Sequence, residues 1–544
     1  MVAIMRTYGE ALYHLKRRFL LIGLTGYTGS GCSTAARILR RQKKPDLPGF
    51  QLLSNGTDER RYKKLKRVWH ELPWDQFVNI EVSRVIFCFV IHRALNSNID
   101  TVSLSEGRKL AERIPNKSDG IALLLDQNQD VTHIETAKKI VDSYEAFKQL
   151  YIPWKNMWCE DLSSFILQMQ NFGDQIRTYG KVLPEETSAL DPGNIFILPS
   201  AVRRLIKSYI VATDSKFFVI DAFRNPYEVE YFKRRYSEFY LVAVQRPIRE
   251  RREALGDLDT EATNRLEQRE QGKLIQKKDK ENIHEWVTSQ NIPECAQKAD
   301  YFIHNYFDES KTWPYLRFHL IRLITLSQHP GCIPPNAHER NMQLAMTARQ
   351  NSGCMSRHVG AVVTSRQGYI LGVGWNDPPS GQIPCALRTA GELISDLDKT
   401  AFSEYERSEI FVRHISDRNI GDQPYCFCEE LALIEGEKSR EYTRALHAEE
   451  NALLQALVHG SDAIQGSTLY TSDSPCTLCS KKAYQLGVER IVYIEEYPGI
   501  SLQHSINVGT RSVQIGQFEG ATGSSYFKLF SPLMREKDYL KLYI

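Results

Sequence analysis

Apolar residues in this chain follow two rhythms. Short unbroken runs, Phe19–Leu24, Phe217–Ile220, Tyr240–Val244 and Tyr301–Ile303, read as buried strands. Between them lie stretches with helical spacing, such as Ala35, Ala36, Ile38 and Leu39. Strands alternating with helices predict a parallel α/β sheet. Residues 45–200 add core-like stretches such as Val85–Ala94, and the aromatics Trp154 and Trp158 read as packing. Trp313–Leu326 reads as one amphipathic helix, and Gly331-Cys-Ile-Pro-Pro335 then punctuates the chain.

Beyond that break the rhythm changes. A helix is predicted over Glu339–Arg349 and a strand over Cys354–Val363. A turn at Gln367-Gly368 joins this strand to a second, Tyr369–Gly374, making a β-hairpin that runs into the polar loop Trp375–Pro379. His447 opens a helical run through Ala452, Leu453, Leu454, Ala456 and Leu457. Ser467–Thr471 reads as a buried strand, and Ser474-Pro475 as a helix start with Ser as N-cap and Pro at the first helical position. Gly487–Ile494 reads as another buried strand. The expected division is a first domain over 1–310, a linker over 311–336 and a second domain over 337–544, with an insertion at about 380–443.

Composition narrows the class. The chain has 544 residues, too many for one ordinary core. Charged residues are 25% and hydrophobic residues 42%, ordinary for a globular protein, and a net charge of +3 gives no global argument for nucleic acid or membrane as partner. Eleven cysteines, an odd number without a tight framework, suit reduced thiols and a cytoplasmic location. Phe19–Leu24 is too short for a membrane span.

Candidate chemistry concentrates in two places. The first is His447-Ala448-Glu449, followed by Pro475-Cys476-Thr477-Leu478-Cys479. One imidazole and two thiolates are three ligands for Zn2+, leaving the fourth tetrahedral position for water, as in a catalytic zinc site. Glu449 is not needed as a ligand, and in zinc deaminases a Glu at this place shuttles protons. A lone Cys pair or a core His is common; the four residues in this order are not.

The second place is Gly26-Tyr-Thr-Gly29-Ser30-Gly31-Cys32-Ser33-Thr34, between a predicted strand and a predicted helix. Gly, four residues, Gly, one residue, Ser is the frame of a phosphate-cradling P-loop. The plain alternative is a glycine-rich turn without ligand. Cys32 stands where the frame expects a lysine, so the cation for the terminal phosphates is missing. Ser33 remains able to ligate Mg2+, and Asp221, at the end of an apolar run, is a further candidate magnesium ligand. The order of P-loop, Asp221-Ala-Phe-Arg224-Asn-Pro226 and the cluster Arg246, Arg249, Arg251, Arg252 resembles nucleoside-monophosphate-kinase-like proteins. In those, such arginines clamp phosphates; a solvated charged helix is the equal alternative.

The hairpin, Gly374-Trp-Asn376-Asp-Pro-Pro379, His447-Ala-Glu449-Glu-Asn451-Ala and Pro475-Cys-Thr-Leu-Cys479 together resemble the deoxycytidylate deaminases. That resemblance implies a cytidine-deaminase-like α/β/α domain in which Asn376 holds the nucleotide's sugar or phosphate. Arg357 is open between a phosphate contact and a structural ion pair. With a P-loop NTPase-like parallel sheet upstream, the whole chain resembles the bacterial anti-phage dCTP deaminases. What that family implies is conversion of dCTP and dCMP to their uracil forms, depletion of dCTP during phage replication, and control through the P-loop domain, in some members by an inhibitory small RNA. A nucleotide with Mg2+ at the P-loop and a homo-oligomer are further expectations.

The insertion carries Cys385, His414, Cys426 and Cys428. It reads as a surface insertion or, on a weaker signal, a second metal site. Two rivals to the main reading stand: a polynucleotide cytosine deaminase acting on single-stranded DNA or RNA, and an RNA or nucleotide sensor with a deaminase effector.

Overall fold

The computed structural model describes residues 11–50, 56–97, 99, 101–114, 118–128, 131–158, 162–185, 188, 190–256, 260–272, 283–306, 308, 312–395, 398–436, 442–458, 460–496, 502–535 and 537–538. The chain forms two compact units, Met1–Pro334 with Phe527–Ile544, and Pro335–Tyr526. No described helix is long and apolar enough to cross a membrane.

In the first unit five parallel strands, β1 (Leu20–Thr25), β2 (Val78–Glu81), β3 (Phe217–Phe223), β4 (Phe239–Gln245) and β5 (Tyr301–His304), pair in the order β5-β4-β1-β3-β2. All six residues of β1 are buried, as befits a central strand covered on both faces. Leu21 lies between Phe218 of β3 and Phe239 of β4. The chain thus leaves β1 where the strand order reverses, and crevices at the carboxyl ends of such strands are where ligands bind. Helix α1 (Cys32–Leu39) starts there. Helix α2 (Val82–Asn96) buries nine of its side chains, including Val85–Ile91, which makes it the core expected from its sequence. Trp154 is core as well: its indole N–H donates to the Ser103 carbonyl at 3.0 Å. The side chain of Trp158 lies outside the described residues.

The predicted linker is corrected here. Pro314–Gln328 is a helix with twelve buried residues, among them Leu316, Leu320, Leu323 and Ile324, and it belongs to the first unit. A stripe that looks amphipathic in sequence is covered on nearly all sides once packed. Helix α3 (Ile248–Ala254) and helix α4 (Thr260–Glu270) complete the part of this unit that bears on function.

The second unit carries a mixed sheet of β6 (Gly360–Thr364), β7 (Ile370–Trp375), β8 (Thr468–Asp473), β9 (Arg490–Glu495) and β10 (Gln514–Gln517), in the order β10-β9-β8-β6-β7. The predicted hairpin is present as β6 and β7, antiparallel, with Ala361 opposite Gly374. Helix α5 (Ala337–Ala348) approaches Gly360, whereas Gly374, paired with the next residue Ala361, faces the helix Ala448–Val458. Successive strand residues point to opposite faces, so the two helices cover opposite sides of the sheet. Ala361, Val363, Leu469, Ile491 and the helix residues Ala448, Ala452 and Ala456 form one core.

Two boundaries move. The strand expected over Cys354–Val363 begins at Gly360, and the strand expected from Gly487 begins at Arg490. Inside the insertion, helices α6 (Ala390–Ser395), α7 (Glu409–Arg418) and α8 (Phe427–Glu435) share a small core of Leu393, Phe402, Phe411, Ile415 and Tyr425. Arg388 is fully buried there, its Nη1 donating to both carboxylate oxygens of Glu406 at 2.9 and 3.1 Å, beside the rings of Phe402 and Tyr425.

Candidate metal centre and phosphate cradle

His447 sits immediately before helix α9 (Ala448–Val458), its carbonyl accepting the Asn451 N–H at 2.9 Å. Cys476 is the N-cap of helix α10 (Thr477–Gln485), and Cys479 lies in that helix's first turn. The helix therefore starts two residues later than Ser474-Pro475 suggests, because Cys476 keeps an extended ψ of 170°. Cys476 Sγ is 3.3 Å and Cys479 Sγ 3.4 Å from His447 Nδ1. The three ligand atoms lie within 4.8 Å of one another, the one such group of three among the described residues.

Both thiols are buried at the positive end of a helix. A hydrogen bond from Cys479, helped by His447, pulls the Cys476 thiol down to about 3. The same contact pushes Cys479 up, so the pair readily loses one proton and resists losing the second. His447 is raised, chiefly by Cys476. One imidazole and two thiols converging on one point fit Zn2+, whose own charge would favour the second thiolate.

Glu449, in the first turn of α9, is 4% exposed, and burial raises its carboxyl to about 7. A carboxyl poised near neutrality suits proton transfer. Two further carboxyls escaped the sequence reading. Asp473, at the end of β8, accepts from Ser472 Oγ at 3.0 Å and pairs with Arg357 at 3.3 Å. Glu495 pairs with it in register on β9 and is held well above the usual carboxylate range by burial. A carboxylate closing each of two neighbouring apolar strands was the available signal.

Asn376 is buried. Its Oδ1 accepts from the Val359 N–H at 2.7 Å and its Nδ2 donates to the Arg357 carbonyl at 2.6 Å. Both ends of the amide therefore brace the backbone that enters β6. The next residue, Asp377, bridges to Leu446, beside His447. Arg357 makes the ion pair, with its side chain half-exposed.

Of the insertion's metal candidates, His414 pairs with Glu430 at 2.8 Å and Cys385 with Arg388 at 3.7 Å, while Cys426, 3.5 Å from the Ser356 hydroxyl, also shares a hydrogen bond with Cys428, which lies 3.9 Å from the Thr443 hydroxyl.

In the first unit, a cavity of about 610 Å³ is lined by Gly26, Gly29, Gly31, Cys32, Ser33, Thr34 and Asp221. Ser30 is buried beneath the loop. Gly31 caps α1 at φ 108°, and a Cβ there would stand 2.1 Å from Asn305 Nδ2. Burial pushes the Cys32 thiol up to about 12, so it is neutral. Burial raises Asp221 to about 6, against a hydrogen bond from Ser33. The four arginines divide. Arg246 lines the cavity and donates to the Gly29 carbonyl at 3.2 Å. Arg251 and Arg252 are tied to Glu267 at 3.4 and 2.9 Å, and Arg249 reaches Glu253 on the surface at 3.2 Å. Trp313 and Asn305, far from the loop in the chain, line the same cavity, which no local pattern signals.

Comparison with known proteins places similarity in the second unit. The family described as "Cytidine and deoxycytidylate deaminase zinc-binding region" matches residues 335–495. The deoxycytidylate deaminase of Enterobacteria phage T2 is 32% identical over 157 residues, 29% of this chain and 78% of its own. That of Enterobacteria phage T4 is also 32% identical, covering 29% of this chain and 76% of its own. The solved dCMP deaminase of cyanophage S-TIM5, in complex with dCMP and dUMP, is 27% identical over 34% of this chain and 99% of its own, with a TM-score of 0.22.

Proposed function

The chain belongs to the deoxycytidylate deaminase family, and on that premise we propose that it hydrolytically deaminates free deoxycytidine nucleotides, dCMP and dCTP, to the uracil forms with release of ammonia. The observation that carries this reading is the meeting of His447, Cys476 and Cys479 beside the buried carboxyl of Glu449. His447 Nδ1 and the two Sγ atoms would hold the zinc. When bound, zinc supplies the Lewis acidity that makes water a nucleophile at neutral pH. Glu449 takes a proton from the attacking water and delivers it to the departing amino nitrogen. Asn376 fixes the Arg357–Val359 backbone beside the site; a direct contact with sugar or phosphate requires it to release one of its two bonds.

The finer part of the proposal concerns dCTP and control. Resemblance to anti-phage dCTP deaminases supports depletion of dCTP as a defence, with an inhibitory small RNA as partner. The glycine frame and its cavity support a nucleotide bound with Mg2+ in the first unit, at Ser33 and Asp221, with little phosphoryl transfer because Cys32 is uncharged.

The test is purified protein offered dCMP, dCTP and a single-stranded oligonucleotide, with products read by mass spectrometry. Both nucleotides should be converted and the oligonucleotide left intact. Conversion of the oligonucleotide alone sinks the proposal. Gly31→Arg should abolish nucleotide binding at the first unit, since the loop has no room for a side chain there, and should change control of deamination.

A further inference from the structure

The loop at the first unit's cavity has one end open and one end closed. Among the described residues, the backbone N–H groups of Gly29, Gly31, Cys32 and Ser33 donate no hydrogen bond. The N–H of Thr28 is taken. It donates to both carboxylate oxygens of Glu270, at 3.1 and 3.2 Å, and the Thr28 hydroxyl donates to Glu270 as well. Glu270 is the last residue of α4 and is 0% exposed. Arg224 closes the arrangement: Nη1 contacts the same carboxylate and Nη2 donates to Thr28 Oγ1 at 3.1 Å.

Two cations of the kind that meet the outermost phosphate are therefore out of use. One is replaced by a neutral buried thiol at Cys32. The other, Arg224, already faces a carboxylate. The open amides lead into α1 and remain a cradle for phosphates close to the helix start. In such a loop the lysine serves the β- and γ-phosphates, and that position carries no charge here. A third phosphate would arrive at a covered amide beside a buried negative charge, where repulsion is weakly screened.

Resting on the reading of this cavity as a nucleotide site, we infer that Glu270 sets the length of phosphate chain it accepts: a nucleoside diphosphate is taken at the open amides, and a triphosphate is refused by the carboxylate that holds Thr28. The cavity of about 610 Å³ is of a size for such a ligand.

The experiment is calorimetric titration of the full chain with ADP, GDP, ATP and GTP, purine nucleotides that keep the cytosine site out of the measurement. The wild type should bind a diphosphate at least about tenfold tighter than its triphosphate. Glu270→Gln keeps an oxygen for the Thr28 N–H and removes the charge. It should tighten triphosphate binding about tenfold and leave diphosphate binding within about threefold. Equal or tighter triphosphate binding by the wild type overturns the inference, as does an unchanged ratio in the variant. Should the variant not fold, the wild-type ratio alone decides. If both chain lengths bind equally, only the role of Glu270 falls; if none of the four binds, the nucleotide reading falls with it.

Discussion

Gly374 of β7 lies directly beneath Ala448 of α9: a Cβ on Gly374 would stand 2.3 Å from the Ala448 carbonyl oxygen and 2.4 Å from the Ala452 nitrogen. The helix backbone thus rests on the strand without a side chain between them. Gly372 repeats the contact, with a Cβ position 2.2 Å from the Ala452 carbonyl. This fixes the first turn of α9, which carries Glu449 and follows His447. Gly374→Ala should lift that turn, cost about 1–3 kcal/mol of stability, and lower deamination far more than the stability loss explains. Gly516→Ala, with nothing within 4 Å of its Cβ position, is the control. Thermal midpoints and kcat for dCMP measure both. Normal turnover by Gly374→Ala would show that the close contact does not place the site.

Glu449→Gln should keep zinc and lose about 10²–10⁴-fold in kcat, because the ligands remain and the proton carrier does not. Cys476→Ala should lose both metal and activity. Metal analysis should find one zinc per chain, unchanged by Cys426→Ser with Cys428→Ser, since among the described residues those two thiols belong to no group of three metal-binding side chains. A near wild-type rate for Glu449→Gln would remove it from the chemistry; a falling zinc count in the double variant would establish a second site.

His319 lies buried on the helix Pro314–Gln328, its Nδ1 3.2 Å from the Tyr301 hydroxyl, with Tyr315 and Phe318 packed on its ring. Burial, reinforced by Arg322, lowers it to about 3 from an ordinary 6.5. The unfolded chain therefore binds a proton below pH 6.5 that the folded chain refuses. Stability from this group is complete above pH 6.5 and falls as pH drops, by about 2 kcal/mol at pH 5. The wild type should lose that much more than His319→Gln between pH 7.5 and 5, measured by unfolding of the first unit. Parallel pH profiles would refute the assignment.

Arg388 and Glu406 form a buried pair, and Tyr425 also donates to Glu406 at 2.9 Å. Glu406→Gln leaves a guanidinium without its counter-charge, and such a loss costs about 3–5 kcal/mol. Proteolysis should then cut the insertion first, at residues 388–425. Unchanged protease resistance would mean that the aromatic rings alone hold it.

Sequence alone located the candidate metal donors, their order and the candidate proton carrier, because His447, Glu449, Cys476 and Cys479 stand at helix starts that local pattern reveals. It also determined the central strands, since a run buried on both faces is apolar throughout. What meets across long distances in the chain was set by packing. Local pattern encodes period and ends of elements; it does not say which carboxylate reaches which amide. Glu270 reaches Thr28 across 242 residues, and Asn376 turns its amide to the Arg357–Val359 backbone. The helix read as a linker became core because β5 and its neighbours cover the face that looked free: Tyr301 of β5 meets His319 at its centre. Packing, not periodicity, set that boundary.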